Sequence, residues 1–588
     1  MRRYSFLLCP LLLSAALNSQ TASPAKSQPA PTFESNVRVV LLDVVVTDSK
    51  GNPVTGLTQD DFRVLEDRKP QKLASFKEHK GALFVKDKLP PMPKNTYTNY
   101  PEVETADSIN VILMDSLNTP ILDQYFVHQR VIKYLKTVPA GARVAIFTLS
   151  SRLRMIQDFT TDSSKLLAVL NSVGTAQYSP LMQSDAELES NQSEYANITS
   201  MGNEMAIVAA DPRGLMAEES VGLTVDRVNI TLTAFQQLAN YLAGFPGRKN
   251  LMWVSGAFPI VLFPDASLPA PSRSRSQHAF MDDVQKISDL CTVAQIAVYP
   301  IAAEGLVNDT LHGANDPEPL AYSTGPDASE VARKIGTLRF LRRNTMDTLA
   351  RNTGGQAFYD TNGIKDVLEH VTNEGMHYYT LTYTPTNTKM DNGYRRTRVE
   401  LTKGKYKLSY RRGYYATDTK IASGIASTHN PLLPLMSFGL PDMAQLVYKL
   451  NVTATGTKPA SSSGNALTDF KGPATHYAFD FAVSLYQLNL ELLPDGNRRA
   501  NLELRVVAYD DTGKPLAMAG EGGPVILTPN ALEEAKKTGI HLHQELDVPS
   551  NSYIHLRTGV YDLTSGHAGT LGLRIRTENA SETKLRNP

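Results

Sequence analysis

The rhythm of apolar and polar positions changes twice along this chain, and each change marks a different kind of structure. From Val37 to Val46 the residues are β-branched or apolar except Arg38 and Asp43, which predicts a strand covered on both faces. Asp48-Ser49-Lys50-Gly51-Asn52-Pro53 predicts a turn, since the Asp carboxylate bonds its own downstream backbone and Gly51 is free to take positive φ. A second turn, Glu66 to Pro70, separates strands around Phe62–Val64 and Leu73–Phe76. Residues 33–90 therefore read as a small β module.

From Asn110 the pattern alternates short apolar runs with stretches of helical period, the signature of a doubly wound α/β sheet. Strand Asn110–Met114 leads to a helix, Ile121–Lys136, whose shared face is expected to carry Tyr125, His128, Ile132 and Leu135. Strand Arg143–Leu149, an antiparallel edge at Leu153–Ile156 and helix Ser163–Leu170 follow. Further on come helix Val225–Leu242, strand Leu251–Ser255, helix Met281–Thr292, strand Ile296–Ile301 and helix Leu338–Arg351. The last ends near Gly354, suited to a left-handed cap, before a short strand at Ala357–Tyr359. Ile364, Val367, Leu368 and Val371 mark a closing helix, and a hairpin from Tyr378 to Tyr415 is expected to complete the unit.

After a linker at 417–436 the rhythm becomes strict alternation, as in Ala478–Val483 and Leu502–Val507, which predicts half-buried strands. Asp510-Asp511-Thr512-Gly513-Lys514-Pro515 repeats the order of the turn at Asp48, so residues 437–588 read as an immunoglobulin-like β-sandwich. The fold class expected is thus multidomain α/β plus β: a central doubly wound, Rossmann-like domain at 106–416 between the two β units.

Length supports several cores, since 588 residues exceed what one hydrophobic core holds. Arg2, Arg3, an apolar stretch Phe6–Leu17 and small residues near Ala22 read as a secretory signal at 1–22, followed by a linker at 23–32. The expected location is exported, periplasmic or extracellular, with no transmembrane segment. With 59 basic and 59 acidic side chains there is no net field to draw in nucleic acid, so none is expected as a partner. Arg395, Arg396, Arg398, Lys403, Lys405 and Lys407 read as one solvated face of a hairpin, and Arg248 and Lys249 as cations answering a helix dipole. Cys9 falls in the signal, which leaves Cys291 as a buried small hydrophobe.

Several short pieces jointly resemble the secreted acidobacterial VWFA-related domain family, within the wider von Willebrand factor A fold. They are Val44–Asp48, Gly56-Leu57 ahead of Asp61-Phe62, Asp115–Pro120, Pro246–Leu251, Val254–Gly256, Thr353–Phe358, Tyr378–Tyr383 and Arg412–Tyr415. The wider fold implies protein recognition, often through a metal-ion-dependent adhesion site. That site usually reads Asp-x-Ser-x-Ser on the first loop, with a Thr on the second and an Asp on the third. Here Asp115 stands, but Leu117 and Thr119 take the two serine positions and Ser255 takes the third-loop aspartate; Thr175 is the second-loop counterpart. Asp115, Thr119, Thr175 and Ser255 therefore form a degenerate set, and hard cations depend on ligand charge and rigidity. The resemblance leaves room for at most a weakly bound magnesium or calcium ion; otherwise no cofactor is expected. The alternative role for Asp115 is to accept hydrogen bonds from its own loop, with Asn118 and Thr119 as turn-formers.

Catalytic signatures are missing from the sequence. There is no His-Glu-x-x-His, and Trp253 occupies the first glycine position that a Gly-x-Ser-x-Gly around Ser255 would need. The expectation is a noncatalytic, exported protein-recognition or adhesion-type protein that binds a protein partner outside the cytoplasm. It would use the carboxyl edge of the central sheet, decorated by insertions at 172–223, 258–277 and 302–336. Two other readings stay open: an envelope scaffold whose β modules make the functional contacts, and a metal-dependent adhesin with an intact weak cation site.

Overall fold

The computed structural model describes residues 39–80, 91–100, 108–172, 181, 212–256, 284–303, 343–359, 361, 363–391, 393–416, 431–456 and 467–577. The expected signal and linker at 1–32, Thr175 and most of the three insertions lie outside the described residues. The chain is mixed α/β with five sheets among those residues.

The first apolar run forms β1 (Val40–Thr47), followed by β2 (Phe62–Glu66), β3 (Lys69–Gln71) and β4 (Leu73–Lys80). The turn after β1 closes through Asp48 Oδ1, which accepts from the backbone N–H groups of Lys50 and Asn52 at 2.8 Å each, with Gly51 at φ 85°. After the three-residue strand β5 (Thr96–Thr98) comes β6 (Ser108–Asp115), buried at every position. Next are β7 (Val144–Leu149), β8 (Leu153–Thr160), β9 (Arg248–Ser255) and β10 (Ile296–Ala302). These five make one sheet in the order β10-β9-β6-β7-β8, parallel except for β8.

The two faces of this sheet feed two cores. Odd-numbered residues of β6 and β9, such as Val111, Leu113, Leu251 and Trp253, pack with Phe235, Leu238 and Leu242 of helix Pro212–Ala243. The even-numbered Ile112, Met252 and Val254 pack with Val127, Val131 and Tyr134 of helix Ile121–Leu135 and with Ile364, Leu368 and Val371 of helix Ile364–Met376. Strands with both faces covered read as unbroken apolar runs, which is why these were legible. Helix 121–135 is rotated from the expectation. Its buried side chains are Gln124, Val127, His128, Val131, Tyr134 and Leu135, whereas Tyr125 faces outward.

The hairpin after the closing helix does not complete the central sheet. Strands β11 (His377–Tyr383), β12 (Tyr394–Leu401), β13 (Lys407–Ser409) and β14 (Gly413–Tyr415) pair instead with the amino-terminal strands. One sheet runs β13-β1-β11-β4 and the other β14-β12-β2-β3, and they enclose Leu42, Val44, Phe62, Tyr379, Leu381 and Val399. The physical reason is edge pairing: β1 has apolar side chains on both faces and leaves two rows of backbone groups that β11 and β13 satisfy. Within β12 alternation is real but does not put all the charge outside. Arg395 is buried and bonds Asp391 Oδ1 at 2.7 Å, while Arg396 and Arg398 are exposed.

The remaining strands are β15 (Tyr448–Gly456), β16 (Leu467–Thr468), β17 (Ala474–Val483), β18 (Glu491–Leu492) and β19 (Arg498–Tyr509). Then come β20 (Pro515–Leu527), β21 (Ile540–Pro549), β22 (Tyr553–Asp562) and β23 (Ala568–Arg576). They form a sheet β21-β17-β15-β5 and a larger one around β20-β19-β22-β23, with Tyr448, Phe479, Phe481, Leu504 and Leu556 between them. The turn at Asp510 repeats that at Asp48: Oδ1 accepts from Thr512 and Lys514 N–H at 2.9 Å each, with Gly513 at φ 85°. Leu432, Leu435, Met436 and Met443 belong to the same core as helix Pro212–Ala243, and the described residues from Val39 onward belong to one compact unit.

Candidate functional site

Asp115 ends β6 at the carboxyl edge of the parallel strands, 2% exposed. Its loop turns back at once, because Ser116 and Leu117 donate their backbone N–H groups to Leu149 O at the end of β7 (2.8 and 3.0 Å). Leu117, in the first of the usual serine positions, points into the core with Trp253 and Phe235. Four donors then converge on the carboxylate. Oδ1 accepts from the Asn118 backbone N–H at 3.0 Å, and Oδ2 accepts from Asn118 Nδ2 (2.9 Å), Trp253 Nε1 (3.0 Å) and Ser255 Oγ (2.8 Å). Burial pushes the carboxyl's proton affinity up, and the bonds from Asn118, Ser255 and Trp253 pull it partly back.

Asn118 is the organiser of this loop. Its Nδ2 also donates to Thr231 Oγ1 (2.9 Å) and its Oδ1 accepts from Arg227 Nε (3.2 Å), both on helix Pro212–Ala243. A cation therefore does approach the site, but it is a guanidinium one residue removed from the carboxylate. Thr119 Oγ1 accepts from the Gly256 N–H at 2.9 Å, so the Thr119 hydroxyl is tied to the β9 loop. A Cβ at Gly256 would lie 2.9 Å from Asn118 O and 3.1 Å from Thr119 Cα, a close approach that only glycine permits.

The structure thus brings Asp115, Thr119 and Ser255 into one cluster, while Thr175 lies outside the described residues. Among the described residues no group of three or more His, Cys, Asp or Glu side chains is placed to hold a metal ion. Trp253, Thr231 and Arg227 are site residues that the sequence reading missed. Trp253 carried a signal, being the sole tryptophan of the chain and two positions before Ser255 on the same strand face. Thr231 and Arg227 carried none, because a helix passing over a strand end is not written in local spacing.

Beside the loop the helix Ile121–Leu135 begins, and its first turns leave Ile121, Leu122, Tyr125 and Phe126 exposed, Leu122 to 68% and Tyr125 to 54%. Arg130 lies over the Phe126 ring at 4.7 Å. His128 points inward, with Nε2 3.0 Å from Leu170 O. Cys291 is buried and its thiol is pushed up to about 12 by burial.

Arg248 and Lys249 occupy the opposite edge, and the helix-dipole reading of them is corrected. Both are buried at the start of β9. The Arg248 guanidinium donates to Tyr299 Oη (3.0 Å), Asn250 Oδ1 (3.2 Å) and Gly354 O (3.2 Å). Burial pushes the Lys249 ammonium down to about 8, against the pull of Asp43 on β1.

No family model matches the chain, and no curated protein matches it. Solved structures similar to it include an aerotolerance-related membrane protein from Bacteroides fragilis, at 9% identity and TM-score 0.22 over 45% of this chain and 99% of that one. A von Willebrand factor type A protein from Catenulispora acidiphila matches at 8% identity and TM-score 0.20, covering 88% of this chain and 76% of that one. The three N-terminal domains of the type V pili tip protein Mfa5 from Porphyromonas gingivalis match at 8% identity and TM-score 0.20, over 87% and 78%. Scores of this size carry no argument about function. Among the described residues no helix is long and apolar enough to cross a membrane.

Proposed function

We propose that the chain is an exported, noncatalytic protein-recognition module of von Willebrand factor A type, whose adhesion-site aspartate has become a structural residue. The observation that carries this reading is the saturation of Asp115. Three donors on Oδ2 and one on Oδ1 leave little lone-pair capacity for a cation, and Ser255, at the position of the usual third-loop carboxylate, donates to Asp115. Replacing an acid by a hydroxyl also removes charge from the site, and hard-cation affinity falls with ligand charge.

Recognition is then left to surface shape and apolar contact at this edge. Ile121, Leu122, Tyr125 and Phe126 put exposed apolar side chains next to the rigid loop, and contiguous apolar surface rimmed by charge favours protein contact. Calorimetric titration of the protein with magnesium, manganese and calcium tests the metal half. No tight heat-evolving site is expected, and a site abolished by Asp115→Ala overturns the reading. Capture of a partner from envelope extract tests the other half: Leu122→Ser with Tyr125→Ser should abolish it, and undiminished capture rejects this face.

A further inference from the structure

At the amino edge of the parallel strands, away from Asp115, a cavity of about 540 Å³ opens between the central sheet and the carboxyl-terminal sheets. The antiparallel course of β8 creates it. Thr160 pairs with Val144 at the start of β7, which carries Asp158 and Phe159 to this edge. Phe159, Tyr241 and Phe245 form one aromatic wall, Phe159 stacked on Tyr241 at 6.1 Å and edge-on to Phe245 at 5.0 Å. Phe438, packed on Tyr509 at 5.8 Å, faces it from the segment that leads into the carboxyl-terminal strands.

Two carboxylates line the cleft, and each has one oxygen engaged. Asp158 Oδ1 accepts from Tyr241 Oη (2.6 Å) and the Phe159 N–H (2.7 Å); Asp442 Oδ1 accepts from Arg557 Nη1 (2.8 Å) and the Gly572 N–H (2.7 Å). Oδ2 of both accepts no hydrogen bond from the described residues. Burial pushes the Asp442 carboxyl up although its side chain is 39% exposed, with the Asp158 charge adding to the effect, as expected of groups in a concave site.

Charge at the cleft balances. The balance includes Asp511, which stands outside the lining and faces Arg574 (3.2 Å) and His555 (2.9 Å) of the lining, while Arg557 pairs with Asp442 (2.8 Å) and Arg143 shares the lining with Asp158. Arg557 is not a free clamp for an anion, since its Nη2 already donates to Pro441 O (2.5 Å) and Thr570 Oγ1 (2.9 Å). A ligand of either net charge is therefore opposed by half of the walls. A neutral molecule with flat apolar faces and a rim of hydroxyl donors is opposed by neither. The volume falls within the roughly 300–1,000 Å³ of small-molecule sites.

We propose that this cleft binds a neutral saccharide, its pyranose C–H faces against Phe159 and Phe245 and its hydroxyls donating to Oδ2 of Asp158 and Asp442. The site is separate from the recognition edge and does not depend on it. The test uses the full chain with maltose, lactose, cellobiose and N,N′-diacetylchitobiose, and with spermidine and citrate as charged probes, followed by saturation-transfer NMR and calorimetry. At least one disaccharide should bind, and Asp158→Asn should weaken it by roughly tenfold or more, because an acceptor for a ligand hydroxyl becomes a donor. Tyr100→Ala, at the exposed mouth, is the second variant and should weaken binding without lowering the melting temperature. Binding by no disaccharide, binding by spermidine or citrate alone, or saccharide binding untouched by both variants overturns the proposal.

Discussion

The two ends of the same parallel strands bury charge in opposite ways. At the carboxyl end Asp115 is wrapped by four neutral donors, two from Asn118 in its own loop and two from β9, so the edge is stiff. At the amino end Arg248 and Lys249 reach outward to other elements: Gly354 O, Tyr299 and, through charge, Asp43 of β1. Asp43 in turn accepts from Thr380 Oγ1 at 2.7 Å and Gln295 Nε2 at 3.3 Å, joining β1, β11 and the approach to β10. The lesson is that buried charge at the amino end holds neighbouring units together, whereas at the carboxyl end it shapes one loop and leaves the surrounding surface free for contact.

Breaking the carboxyl end should cost most. Asp115→Ala removes the charged acceptor of four buried hydrogen bonds, and bonds to charged groups contribute about 1.5–3 kcal/mol each, so a loss of about 3 kcal/mol or more is expected in urea unfolding. A loss under about 1 kcal/mol would show that the loop rearranges and that the saturation argument is wrong.

The amino end should respond with the opposite sign. Lys249→Met removes an ammonium whose desolvation outweighs the pull of Asp43, and Arg248 remains to answer the Asp43 charge, so a gain on the order of 1 kcal/mol is expected. The pH dependence distinguishes this cause from packing. The folded ammonium titrates near 8 against 10.5 for the free side chain, so the unfolded chain holds the proton more tightly and the wild-type penalty is full below pH 8. It fades as pH rises from 8 to 10.5, and the advantage of Lys249→Met, read from unfolding at several pH values, should fade with it. An advantage independent of pH assigns the effect to packing.

Smaller effects sharpen the contrast. Gly256→Ala should cost about 1–3 kcal/mol, because the added methyl meets Asn118 O and the Thr119 backbone and overpacking is of that order. Thermal unfolding of that variant checks it, and an unchanged melting temperature would mean that the two loops are not in the close contact described. Leu122→Ser and Tyr125→Ser should change stability by less than about 0.5 kcal/mol, as exposed substitutions do, while altering partner capture.

What local pattern determined is the set of elements whose environment is uniform along their length. The runs in β1, β6, β7, β9 and β10 are apolar because both faces are covered, and the Asp-x-x-Gly turns at 48 and 510 are closed by their own residues. The cluster of Asp115, Thr119 and Ser255 was also legible, since each stands at a strand end or in the first loop. Tertiary structure alone decided the partners. Nothing in the spacing says that Tyr379 pairs with Val44 across more than three hundred residues, or that Thr96–Thr98 joins the sheet of Tyr448–Gly456. Strand edges are satisfied by whichever backbone the fold brings alongside, and that choice is global. The same holds for the four donors on Asp115 and for the outward turn of Tyr125: a helical period fixes which residues share a face, but only packing fixes which way that face points.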